Sequence, residues 1–189
     1  MNCFWNRPAE YYENTWHGTK DLDGGILYTQ FSHFIDILYW FLGDVVHVSG
    51  YRSNMLHRDC MEIEDNGVAI LEMNNKITGS LNYSVNAYKK NMEGSFTILG
   101  EKGTVKIGGQ YLNELDYFLA ENENLPELPK GNSSNQYGFY EGSMSNHDKV
   151  YEAFAKAIDD PSYPIASAHE TMKTVEIIER IYKASPFLS

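Results

Sequence analysis

Cysteine is nearly absent from this chain. Only Cys3 and Cys60 occur, with no C-x-x-C between them, so a disulfide framework is not expected. His57-x-Asp59-Cys60 is a poor match to a metal site and reads as a strand-edge loop, so no metal is assigned. Positive charge is scarce as well: 15 Lys and Arg face 26 Asp and Glu, for a net charge of -11. That balance disfavours nucleic acid and anionic membranes as non-specific partners. Long apolar runs are missing. The longest, 34–43, is interrupted by Asp36 and is too short to span a bilayer. The N-terminus, MNCFWNRPAEYY, lacks the basic start and apolar core of a signal peptide, so the chain reads as cytoplasmic. Neither G-x-G-x-x-G nor G-x-x-x-x-G-K-[ST] is present. Gly100, Gly103, Gly108 and Gly109 lie in LGEKGTVKIGGQ, which reads as strand, turn, strand. No dinucleotide-binding βαβ unit can be drawn.

What the chain does have is an apolar segment from Asp23 to Asp44, DGGILYTQFSHFIDILYWFLGD. It predicts one helix, apolar almost all round and therefore internal. Thr29, His33 and Asp36 follow one another at spacings of four and three, which places them on one helical face. A polar stripe on a buried helix is either satisfied internally or lines a site.

Strand patterns follow at 45–55, 67–73, 77–85, 95–99, 104–107 and 112–120. Asn74-Asn75-Lys76 and Glu101-Lys102-Gly103 read as turns. Residues 121–144 read as a long loop. Two helices close the chain. Ser145-x-x-Asp148 and Ser167-x-x-Glu170 are their capping signatures, and both helices carry apolar stripes predicted to be core. The first stripe is Val150, Tyr151, Phe154, Ala157 and Ile158; the second is Met172, Val175, Ile178, Ile181 and Tyr182. The fold class is therefore α+β, a single domain over 1–189. One large, mainly antiparallel sheet is covered on one face by helices from the two chain ends. The other face is left for water or a partner.

The motif Asp23-Gly24-Gly25-Ile26-Leu27…His33-Phe34-Ile35-Asp36 resembles the substrate-domain signature of the glucose–fructose oxidoreductase/inositol dehydrogenase (Gfo/Idh/MocA) family. Arg7, Tyr11, Tyr12, Trp16, Gly18 and Thr19 resemble the branch that oxidises UDP-N-acetylglucosaminuronic acid at C3. So do the segments NMEGSFTILGEKGTVKIGGQYLN and EGSMSNHDKVYEAF. The resemblance covers nearly the whole chain. It implies the C-terminal domain of a two-domain dehydrogenase, with a fold like the C-terminal domain of glyceraldehyde-3-phosphate dehydrogenase. An N-terminal Rossmann domain of the same polypeptide would hold NAD or NADP, and this fragment alone would be inactive. No cofactor-binding residue is assigned in the present chain. A homodimer or homotetramer through the open sheet face is also implied.

Oxidising a sugar hydroxyl needs a base and groups that orient the ring. His33 is the candidate base, since imidazole titrates near neutral pH; the competing reading is a core histidine bonded to a carbonyl. Asp36 is read as structural. Arg7, Tyr11, Tyr12, Trp16, His17 and Thr19 form an aromatic and polar cluster suited to a sugar, with Arg7 a partner for a carboxylate or diphosphate. Thr29, Tyr88 and Asn91 are further substrate-binding candidates. Asn146 and His147, at a helix start, are candidates for an anion, with simple capping the alternative. A stand-alone carbohydrate-binding module and an oligomerisation module remain rival readings.

Overall fold

A computed structural model describes residues 1–125, 127–128 and 131–188. Its centre is an eight-stranded sheet. In chain order the strands are β1 (Asn2–Phe4), β2 (Val45–Ser53), β3 (Asn66–Met73), β4 (Thr78–Ser84), β5 (Glu93–Gly100), β6 (Gly103–Gly108), β7 (Glu114–Ala120) and β10 (Phe187–Leu188). The spatial order is β10-β2-β3-β4-β1-β5-β6-β7. β1 runs parallel to β4, and β10 runs parallel to β2; every other neighbouring pair is antiparallel. The sheet is thus mixed but mainly antiparallel, as the pattern predicts. β1 separates two meanders. To one side lies β2-β3-β4, joined at Asn74–Lys76 by a turn in which Lys76 adopts φ 66°. To the other lies β5-β6-β7.

Alternation along the strands sorts the two faces. Val48, Ala69, Leu71, Leu81 and Tyr83 point inward and are buried, while Tyr51, Val68 and Ile70 point outward and are exposed. Helix α2 (Ser32–Leu42) and helix α4 (Ala168–Ala184) cover the inner face. Phe34, Ile35 and Leu38 of α2 and Ile177, Ile178 and Ile181 of α4 complete the core. Asp36 accepts a 2.7 Å hydrogen bond from Thr174 and so ties α2 to α4.

Four expectations need correction. The 23–44 segment is not one helix. A short α1 (Ile26–Thr29) stops and α2 restarts at Ser32, because the Ile26 carbonyl accepts from both Gln30 N and Phe31 N. Nor is it apolar-buried all round: Trp40 is 75 % exposed, and Phe41, His33 and Asp36 also face outward. Helix α3 (His147–Asp159) buries no residue, so its stripe of Val150, Tyr151, Phe154 and Ile158 is not core. In α4 the buried stripe is rotated: Thr174, Ile177, Ile178 and Ile181 are inside, whereas Met172 and Val175 are exposed. The segment 121–144 also contains a small hairpin, β8 (Ser134–Gln136) and β9 (Glu141–Met144).

Candidate functional site

The site grows from the end of β1. Trp5 and Arg7 continue the strand by bonding to the carbonyls of Ser84 and Val85. This extension carries two large side chains into the interior, Trp5 at 2 % and Arg7 at 3 % exposure. The Arg7 guanidinium is held by neutral acceptors. Its Nε donates to Gln30 Oε1 at 2.8 Å, and its Nη1 donates to the carbonyls of Asn6 (2.7 Å) and Glu141 (3.2 Å) and to Asn91 Oδ1 (3.4 Å). Trp5, Tyr11 and Tyr140 surround it, with ring centres 5.1, 5.5 and 5.0 Å away. Burial lowers its pKa, but from so high a starting value that the group stays charged. Among the described residues it forms no ion pair with a carboxylate. A buried cation whose partners are amides, carbonyls and ring faces retains most of its attraction for an anion.

Trp5 links this cation to His33. The Trp5 and His33 rings lie 5.5 Å apart, and Phe34 flanks the imidazole at 4.7 Å. Among the described residues neither ring nitrogen of His33 has a hydrogen-bond partner, so it is not a core histidine tied to a carbonyl. Crowding by these rings and the nearby Arg7 charge push its pKa down, to about 4. Its solvent-open side limits that shift. His33 is therefore neutral near pH 7, with a free lone pair.

The aromatic cluster assembles around Tyr11. Tyr11 accepts a hydrogen bond from Gln30 Nε2 at 2.8 Å and meets the rings of Tyr140 (4.9 Å) and His17 (4.4 Å). His17 stacks on the exposed Trp16 at 3.9 Å, burial lowers its pKa, and its Nδ1 has no partner. Tyr12 is buried and turned towards His57, at 5.3 Å. Thr19 closes a turn by donating to the Trp16 carbonyl, and Thr29 donates to Asp23. Asn91 lies at the heart of the cluster but is engaged internally. It accepts from Asn6 N and Arg7, and it donates to Tyr111 and the Glu141 carbonyl. The structure does not bring three other candidates here. Tyr88 is 83 % exposed beside Lys89. Asn146 bonds to Asn132, and His147 lies exposed at the start of α3.

Sequence reasoning missed Trp5, Gln30, Tyr140, Glu141 and Tyr111. Tyr140 and Glu141 arrive from the hairpin within 121–144, a segment whose composition reads only as loop. Gln30 sits at the break between α1 and α2, which helical periodicity conceals. Trp5, two residues before Arg7 on an extended strand, shares its side and was the one detectable signal.

Residues 2–186 match the oxidoreductase family C-terminal alpha/beta domain, GFO_IDH_MocA_C. The chain belongs to the Gfo/Idh/MocA oxidoreductase family. The WlbA dehydrogenase from Bordetella pertussis, solved in complex with NADH and UDP-GlcNAcA, is 32% identical with a TM-score of 0.78. The alignment covers 97% of this chain and 50% of that one. The WlbA dehydrogenase from Chromobacterium violaceum, solved with the same two ligands, is 29% identical with a TM-score of 0.75 and the same coverage. An inositol dehydrogenase homolog from Azotobacter vinelandii is 14% identical, covers 97% of this chain and 54% of its own, and has a TM-score of 0.71; it shows the fold alone. No curated protein matches the chain. The chain spans about half the length of the WlbA structures.

Proposed function

We propose that this Gfo/Idh/MocA domain binds the substrate of an NAD(P)-dependent dehydrogenase acting on a UDP-N-acetylglucosaminuronate-like sugar nucleotide, with oxidation at C3. The observation that carries the reading is the buried Arg7 cation, which among the described residues has no counter-ion, one tryptophan away from a neutral His33 that has no hydrogen-bond partner among them. A carboxylate or diphosphate oxygen of the ligand supplies the missing anion. Tyr11, Tyr140, His17 and Trp16 offer ring faces to the C–H surfaces of a sugar. His33 then takes the proton of the hydroxyl being oxidised. The two WlbA complexes, which hold UDP-GlcNAcA and NADH, support the substrate class.

The described residues do not fit a nicotinamide dinucleotide by themselves. Gly100–Gly103 joins strand to strand, Gly24 and Gly25 lead from a loop into the four-residue α1, and among the described residues no strand–glycine loop–helix unit presents N–H groups to a pyrophosphate. The reading therefore assigns NAD or NADP to a separate N-terminal Rossmann domain of the same polypeptide, and no step is drawn through it. A second copy of the domain is placed on the open sheet face, where Tyr51, Val68 and Ile70 are exposed.

Calorimetric titration tests the binding half of the proposal. UDP-N-acetylglucosaminuronic acid should bind the chain, and Arg7→Gln should weaken it by about 2–4 kcal/mol, the loss expected for a buried charge-assisted pair. UDP-N-acetylglucosamine, which keeps the diphosphate but lacks the carboxylate, reports which anion Arg7 meets. Equal affinity of wild type and Arg7→Gln for the uronic acid would overturn the assignment.

A further inference from the structure

Two adjacent carboxylates, Glu64 and Asp65, precede β3 and are fully buried, each at 0 % exposure. Neither touches the cluster around Arg7 directly. We propose that they are positioning residues that set the two halves of the site in register. Glu64 acts on the approach to His33, and Asp65 acts on the backbone of Arg7.

Glu64 works through the start of α1. Residue 25, the N-cap of that helix, is a glycine and offers no capping side chain, so two N–H groups need partners from elsewhere. Glu64 Oε1 accepts from Ile26 N at 3.1 Å. Tyr182, from the far end of the chain, accepts from Leu27 N at 2.9 Å and donates to the same Glu64 oxygen at 2.6 Å. Arg52 approaches Oε2 at 3.4 Å. The approach is so close that a Cβ on Gly25, which also sits at φ 140°, would lie 2.1 Å from the Tyr182 hydroxyl. This clamp accounts for the glycine in the Asp-Gly-Gly motif. The segment it anchors runs through Gln30, which holds Arg7, to His33.

Asp65 works through His57. Its carboxylate accepts from the N–H groups of Met55, Leu56 and His57, from Asn66 Nδ2, and from His57 Nδ1 at 3.2 Å. On the other side of the ring, His57 Nε2 meets the Arg7 carbonyl at 2.9 Å. A carboxylate ringed by donors and a carbonyl both accept, so both imidazole nitrogens donate and His57 is an imidazolium. Asp65 therefore reaches Arg7 through one ring. The two clamps converge because Gln30 Oε1, at the end of α1, accepts the Arg7 Nε–H.

Two substitutions of one residue separate positioning from plain support. His57→Gln places an amide N–H near the Nε2 position and keeps the bond to the Arg7 carbonyl. His57→Asn is shorter, reaches only Asp65, and leaves that carbonyl bare. The first readout is hydrogen exchange of the Arg7 Nε–H by NMR, which requires no ligand. The second is affinity for UDP-N-acetylglucosaminuronic acid, which rests on the function proposed above. Loss of one buried hydrogen bond corresponds to about a tenfold change. His57→Asn should therefore speed Arg7 exchange about tenfold and weaken binding comparably, while His57→Gln, which keeps the Arg7 bond but loses Asp65, should fall between it and the wild type, at about threefold on both. Should His57→Asn not fold, Tyr182→Phe tests the other clamp, with faster exchange at Leu27 N and a shifted Gln30 side-chain amide. Equal exchange in the two His57 variants, or an unmoved Gln30 amide in Tyr182→Phe, overturns the proposal. A wild type that shows the exchange pattern but binds no uronic acid overturns the substrate reading alone.

Discussion

Helices α3 and α4 carry much the same message in sequence and meet opposite fates. Each opens on a serine-based capping signature, and each has an apolar stripe. In α4 the capping box forms, with Ser167 Oγ accepting from Glu170 N and the Glu170 side chain accepting from Ser167 N. Ile177, Ile178 and Ile181 are then sealed against the sheet. In α3 the cap falls on Asn146 and makes no side-chain bond to the helix. Val150, Tyr151, Phe154 and Ile158 remain exposed. Amphipathicity states that a helix requires a partner; it does not state that the partner lies among these residues. The same lesson holds for the two ends of α2, where Phe34 is buried and Trp40 faces outward.

Core truncation should show the largest difference. Ile178→Ala leaves a cavity in a fully buried position and should cost about 2–5 kcal/mol in denaturant unfolding, against about 0.5 kcal/mol or less for Phe154→Ala. Comparable losses would mean that α3 is packed after all. Capping comes next. Ser167→Ala should cost about 1 kcal/mol and Ser145→Ala close to none. Equal costs would place a working cap at Ser145.

The pH dependence should be smaller and has a definite sign. Burial alone would lower the His57 pKa, but the hydrogen bonds to Asp65 and to the Arg7 carbonyl outweigh it and the net shift is upward. Burial likewise works to raise the Asp65 pKa, but its donors hold it well below the usual carboxylate range. The His57 contribution is fully present below the unfolded histidine value of about 6.5 and is lost as pH rises through the raised folded value. The Asp65 contribution is present above the unfolded aspartate value of about 3.9 and is lost as pH falls through the depressed one. Both operate fully between about pH 4 and pH 6.5. His33, with its lowered pKa, acts in the opposite sense to His57 and weakens folding as pH drops below about 6.5. Melting temperature should therefore fall as pH rises above about 6.5, and His57→Gln should flatten that fall. An unchanged slope in the variant would remove His57 as its source.

Much of the fold was legible because its signals are local. Alternation gave the strands, Asn74–Lys76 gave a turn, and Ser167-x-x-Glu170 gave a cap. The site was legible only in part. Arg7, Tyr11 and His33 announce themselves by residue type and by the motif around them. Tyr140, Glu141 and Gln30 reach the site through a hairpin and a helix break, features fixed by tertiary contacts and invisible to periodicity. Asn146 and His147 illustrate the reverse: a helix start that reads as an anion site lies apart from the Arg7 cluster, bonded to Asn132.

One NMR titration tests the central claim most directly. Adding UDP-N-acetylglucosaminuronic acid to the labelled chain should shift the Arg7 Nε–H and the His33 ring signals together, saturably, and leave His147 in place. Shifts confined to His147 and its neighbours, or none at Arg7 and His33, would contradict the account.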